Sequence, residues 1–214
     1  MRIPNHIGII PDGNRRWAKN NGMNKKKGYN YGLKPGVELF KLCREKGVHE
    51  MTYDGFTMDN TKRPTEQTEA FRNASVKAVK MITNENASLL VVGNTKTPMF
   101  PEELKKYTER IDFGLADIKV NFLVNYGWQW DLQELTMHKN ISRNKIINNI
   151  KSKNISRIDL IIRWGNRRRL SGFLPVQSVY ADFYVVDDYW PDFKSEHFKQ
   201  ALKWYDKQDL TYGG

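Results

Sequence analysis

The sequence predicts an α/β fold with a central, mostly parallel β-sheet flanked by helices, and three observations predict it. Six short apolar runs of strand length alternate with segments whose apolar residues recur at helical spacing. Alternation of that kind pairs strands in parallel through helical crossovers. Three of the strand ends are followed at once by polar, phosphate-competent residues, and in a parallel sheet such ends gather on one edge. No internal repeat or composition break divides the 214 residues, which fit one domain, 1–214, with a core of its own.

Residues 7–10 form the first strand, which breaks into Pro11-Asp12-Gly13-Asn14 and then Arg15-Arg16-Trp17. That order sets a carboxylate, flexible backbone amides and guanidinium forks at a strand end. A carboxylate suits Mg²⁺, while glycine amides, a helix start and arginines suit phosphate oxygens. Asp-Gly-Asn is also ordinary turn chemistry, so this segment alone leaves both readings open. Residues 33–46 read as a helix: Pro35 lies near its start, Gly47 just past its end, and Val37, Phe40 and Cys43 share a face. Residues 51–56 are the second strand, followed by Asp59-Asn60-Thr61-Lys62-Arg63-Pro64. Residues 65–83 read as a helix, 88–92 as a strand ending at Gly93-Asn94, 101–113 as a helix and 118–124 as a strand. Residues 140–154, rich in Asn, Lys and Ser with isoleucines at helical spacing, read as a surface helix with loops. Strand 160–163 runs into Trp164-Gly165-Asn166-Arg167-Arg168-Arg169-Leu170-Ser171. Four arginines between positions 163 and 169 cannot be buried unless they meet anions. Residues 183–186 are the last strand and 196–206 the closing helix.

The formal net charge of +11 points to anionic partners, and nucleic acid, membrane headgroups and small diphosphates all qualify. The aromatic residues are not interleaved with the basic ones as a stacking platform for nucleic acid requires, which argues against that partner. No apolar run reaches membrane-spanning length and no leader segment is evident, so a soluble, cytoplasmic protein with at most peripheral membrane contact is expected. The single cysteine, Cys43, excludes an internal disulfide and suits a reducing compartment. The four histidines show no metal-ligand spacing.

Four segments resemble, in order, the cis-prenyltransferases, the family of undecaprenyl diphosphate synthase. They are residues 6–18, residues 56–64, Asn125-Tyr126-Gly127, and residues 159–193. The last includes Arg163, Arg169-Leu170-Ser171, 177–182 and Trp190-Pro191-Asp192-Phe193. The resemblance implies a homodimer with an apolar tunnel. It also implies Mg²⁺-dependent transfer of an allylic prenyl group from its diphosphate to an acceptor, usually isopentenyl diphosphate. It makes Asp12 the Mg²⁺ ligand on the donor diphosphate, with Gly13, Asn14 and Arg16 around that diphosphate and Asn60 and Arg63 beside it. Arg163, Arg169 and Ser171 would hold the acceptor's diphosphate, and Asp182 takes the place of a second acidic metal residue, one methylene shorter. The aromatic and proline groups of residues 190–193 suit packing.

The departures gather in the same motifs. Arg15 and Lys25, on the donor side, replace a glycine and an arginine, and Tyr29 replaces a histidine at a catalytic position, where a phenol is a poor base at neutral pH. Thr61 replaces a tryptophan, and Arg167 replaces a glutamate after the first C-terminal arginine. The tail, 210–214, lacks the family's arginine. Pro-Asp-Gly-x-Arg-Arg-Trp with a later Gly-Tyr is similar to the cyclolavandulyl diphosphate synthase branch, which joins two dimethylallyl units head-to-middle. The acceptor is therefore expected among isopentenyl diphosphate, dimethylallyl diphosphate and a prenyl alcohol. A shortened 64–92 segment and Asp54, at a position where apolar or aromatic residues are common, argue for a short product. The lost tail arginine also leaves open a catalytic subunit that needs a different partner.

Overall fold

The computed structural model describes residues 1–137 and 142–209. Its strands are β1 (His6–Ile10), β2 (Glu50–Asp54), β3 (Ala87–Val92), β4 (Ile111–Phe113), β5 (Lys119–Leu123), β6 (Leu160–Arg163) and β7 (Asp182–Val185). They form one sheet in the order β4-β3-β5-β2-β1-β6-β7. Every neighbouring pair is parallel except β3 with β4. The apolar runs become strands because both faces of the sheet are covered: β1 and β3 are buried at every residue.

The helices are α1 (Asn14–Asn20), α2 (Gly28–Tyr31), α3 (Leu33–Glu45), α4 (Thr65–Ile82), α5 (Trp128–Asp131), α6 (Arg143–Asn149) and α7 (Ser195–Tyr205). The main core joins Ile7, Ile9, Met51 and Val91 of the sheet to Leu39, Phe40 and Cys43 of α3, Val79 of α4 and Phe198 of α7. Cys43 is fully buried in that core, and burial raises its thiol pKa far above the reactive range. A second core on the other face packs Ile10, Leu90 and Ile161 against Ile155, Ile158, Phe173 and Leu174. No described helix is long and apolar enough to cross a membrane.

Beside β1 the strand order changes direction, because β2 lies on one side and β6 on the other. The carboxyl ends of β1, β2 and β6 therefore open onto one crevice, the usual ligand position in such a sheet.

Two expected elements differ. Residues 101–113 are not one helix: a 3₁₀ turn covers Glu102–Tyr107, burying Leu104 and Tyr107 at its period of three, and Ile111–Phe113 pairs antiparallel with β3. Within the expected surface helix of 140–154, only Arg143–Asn149 is helical, and residues 140 and 141 lie outside the described residues. The tail motif, 210–214, also lies outside them.

Candidate active site

The site is built on the turn that leaves β1. Gly13 adopts φ +103°, and a Cβ there would stand 2.6 Å from the Tyr189 ring, so only glycine lets the chain turn here. The turn points the Gly13 N–H at Asp12 Oδ1, 2.5 Å away. Arg163, the last residue of β6, sits beside Ile10 in register and donates from Nη2 to Asp12 Oδ2 at 2.8 Å. Arg16, one turn into α1, stands 3.4 Å from Asp12 Oδ1. Burial works to raise the Asp12 pKa, but the Arg163 hydrogen bond and the charges of Arg163 and Arg16 outweigh it and hold the carboxyl below its ordinary value. Asp12 is thus ionised at neutral pH and a third exposed.

Arg163 is only 4% exposed. Besides Asp12 it donates from Nη1 to Ser171 Oγ at 3.0 Å and to the Arg169 carbonyl. Ser171 itself is held at φ +54°. Arg163 therefore ties the donor-side turn to the loop expected to hold the acceptor, rather than facing the acceptor alone.

Across the crevice, Arg63 donates from Nη1 to the Tyr29 hydroxyl at 3.0 Å, and both pack on Phe71. Arg15 donates to Gln67 Oε1 at 3.1 Å. Asn60 acts locally, where its Oδ1 accepts the Thr57 N–H at 3.0 Å and caps the 3₁₀ turn Met58–Lys62. Asn14 likewise donates to the Pro11 carbonyl at 2.9 Å and braces the turn.

These side chains surround a polar cleft of about 670 Å³. Asp12, Gly13, Asn14, Arg15, Arg16, Lys25, Tyr29, Asn60, Arg63, Arg163, Arg169 and Ser171 all line it. Asp182 does not. It is the first residue of β7, paired with Leu160, so it stands on the opposite sheet edge from Asp12, near Asp159 and Arg2. The expected pairing of Asp12 with Asp182 around one metal is not made within this chain, because a residue that begins a parallel strand cannot share an edge with one that follows another.

Lys19, Asp59 and Arg167 also line the cleft, although only sequence position beside the motifs could have singled them out. Asp54 is the more telling omission. It ends β2, half-buried, and lines both the polar cleft and an adjoining apolar pocket of about 80 Å³. That pocket, walled by Leu33, Val37, Phe71, Ala78, Ile82 and Phe122 among others, stands where a tunnel is expected. Burial pushes the Asp54 carboxyl up to about 7, with Arg163 and Arg63 lowering it and Asp12 raising it.

A carboxylate between arginines, a cationic cleft and a contiguous apolar pocket can together hold a diphosphate with a hydrocarbon tail. Residues 10–213 match the prenyltransferase family model described as undecaprenyl diphosphate synthase. The chain is a cis-prenyltransferase.

Among curated relatives, the ditrans,polycis-undecaprenyl-diphosphate synthase, (2E,6E)-farnesyl-diphosphate specific, of Yersinia pseudotuberculosis is 29% identical over 231 residues, covering 100% of this chain and 91% of that protein. The enzyme of the same description from Escherichia coli K12 is 29% identical over 227 residues, covering 98% and 89%. The crystal structure of lavandulyl diphosphate synthase from Lavandula x intermedia in complex with dimethylallyl diphosphate shares the fold, with a TM-score of 0.81, 21% identity and coverage of 99% and 98%. In this cis-prenyltransferase, Trp190 and Phe193 serve packing: Trp190 donates to the Gly32 carbonyl at 2.8 Å, lies against Gly32 and meets the Trp164 ring edge-on, while the Tyr189 ring backs the Gly13 turn.

Proposed function

We propose that this cis-prenyltransferase transfers a short allylic prenyl group from its diphosphate to an alkene-bearing acceptor, isopentenyl or dimethylallyl diphosphate, with a prenyl alcohol as the further acceptor to test. The observation that carries the reading is the continuity of the cationic cleft with the small apolar pocket, which share Tyr29, Asp54 and Phe71 as walls. The donor's phosphates suit the Gly13 amide, Arg15, Arg16 and Lys25, and its hydrocarbon suits the pocket. The acceptor's diphosphate suits Arg169, Ser171 and Arg167. Arg167 stands where the family carries a glutamate and adds a cation on that side.

The residues present fit Mg²⁺. Asp12 is ionised and a third exposed, and this metal is commonly held by one or two carboxylates together with substrate phosphates. When bound, Mg²⁺ would offset negative charge on the departing diphosphate. Arg16, Lys25 and Arg63 add fixed positive charge around the same leaving group, which favours its departure. Arg163 holds Asp12 in place. Phe71, Tyr29 and the pocket walls exclude water from the allylic carbon.

The small pocket favours a short donor and product. Dimethylallyl diphosphate as acceptor is favoured by the fold neighbour, whose structure holds that compound. Homodimerisation has exposed apolar side chains available to it in Trp128, Leu170, Val179 and Tyr180, and a cytoplasmic location accords with the reading.

The test offers purified protein and Mg²⁺ allylic diphosphates of increasing length, each with isopentenyl diphosphate, dimethylallyl diphosphate or a prenyl alcohol. Mass spectrometry and NMR then give chain length and linkage. Products lost on chelation and in Asp12→Ala support the reading. Product that persists in Asp12→Ala refutes the role of Asp12, and only long head-to-tail products would refute the short-chain assignment.

A further inference from the structure

Asp54 is the one carboxylate on the wall common to the polar cleft and the apolar pocket. Among the described residues its carboxylate accepts no hydrogen bond and forms no ion pair. The charged groups that face it are Arg163 from β6, Arg63 from the segment after β2, and Asp12 from the β1 turn. A half-buried carboxylate without a partner is costly, and an apolar side chain at the end of β2 would line the same wall without that cost. Its position therefore calls for a chemical reason.

The reacting carbons give one. With phosphates in the cleft and hydrocarbon in the pocket, the allylic carbon lies at the junction of the two. The junction is walled by Pro11, Asn14, Tyr29, Asp54, Gly55 and Phe71. Asn14 donates from Nδ2 to the Pro11 carbonyl, and its buried, unpartnered Oδ1 is an amide oxygen too weakly basic to take up a proton. The Tyr29 hydroxyl is held by Arg63. Asp12 lies outside this shared wall and is tied to two arginines. Only Asp54 combines the position with a carboxylate that has no partner.

We propose that Asp54 is the catalytic residue that accepts the proton released by the acceptor during prenyl transfer. The inference rests on the transfer reading given above. For an alkene acceptor, the donor's C–O bond breaks and its electron pair leaves on diphosphate. The acceptor's π pair forms the new C–C bond. A C–H bond beside the resulting cationic centre then breaks, its electron pair becoming the new alkene and its proton passing to a carboxylate oxygen of Asp54. Atoms and charge balance with no oxidant or reductant. Burial raises the proton affinity of Asp54 toward the neutral range, where a general base works best.

The test compares wild type, Asp54→Asn and Asp54→Glu with Mg²⁺ and the best donor–acceptor pair. Three readouts are taken: product by mass spectrometry, donor C–O cleavage by positional exchange of an ¹⁸O-labelled bridging oxygen, and folding by thermal melting. Asp54→Asn should lose product formation about 10²–10⁴-fold, retain oxygen exchange and melt cooperatively, while Asp54→Glu should regain part of the product rate. Product within tenfold of wild type in Asp54→Asn overturns the proposal, as does loss of exchange in parallel with product. If Asp54→Asn fails to fold, Asp54→Ser, which also lacks the carboxylate, carries the test with the same three readouts: product within tenfold of wild type would overturn it. Wild type that makes no product with any pair overturns the transfer reading itself, which is a different failure.

Discussion

Replacing Asp54 by asparagine keeps its shape and removes its titration, so the variant should be more stable than wild type at pH 8 and nearly equal to it at pH 4. The folded protein pushes the Asp54 carboxyl from 3.8 up to about 7. Below the lower value both states are protonated and nothing is lost. Between the two values the unfolded chain releases the proton while the folded chain keeps it, so wild-type stability falls as pH rises. Above about 7 the loss is complete. A shift of about three units at about 1.36 kcal/mol each gives about 4 kcal/mol, an upper limit because the cleft admits water. For a chain of this size that corresponds to at most about 8–16 °C in Tm. Asp12 titrates in the opposite sense and at lower pH, since its folded value is depressed, so the two groups occupy separate windows. The assay is thermal melting of both proteins from pH 4 to pH 8 without divalent metal. A difference in Tm that stays constant across that range would refute the reasoning.

Arg163→Met should lower stability by about 1–3 kcal/mol, less than a fully buried pair because Asp12 is a third exposed. It should also depress transfer with either acceptor alike, which steady-state kinetics with two acceptors would show. Gly13→Ala should cost about 1–3 kcal/mol from its positive φ and weaken donor binding further by displacing Tyr189, measured by melting and by donor KM. Ile82→Ala opens the far wall of the apolar pocket. It should destabilise the fold by about 2–5 kcal/mol and shift products to longer chains, so unchanged length by mass spectrometry would remove the pocket as the length ruler.

Parts of the fold were legible because burial on both faces turns parallel strands into plain apolar runs: 7–10, 88–92 and 160–163 stand within a residue or so of β1, β3 and β6. Residues 101–113 misled because Glu-Glu-Leu-Lys-Lys-Tyr has helical composition, whereas Ile111-Asp112-Phe113 takes its strand form from pairing with β3, which no local pattern encodes. The placing of Asp182 had a signal that motif reading passed over. A strand at 183–186 already puts position 182 at its amino end, and in a parallel sheet that is the edge away from Asp12. The same edge rule works in reverse for Asp54. A strand beginning at 51 carries its last residues toward the edge where residues 12–16 and 163–171 converge, and a carboxylate arriving there is a member of the site before it is a wall of any tunnel. Residue type gave the chemistry at each motif, and strand polarity decided which of those residues could act on one substrate.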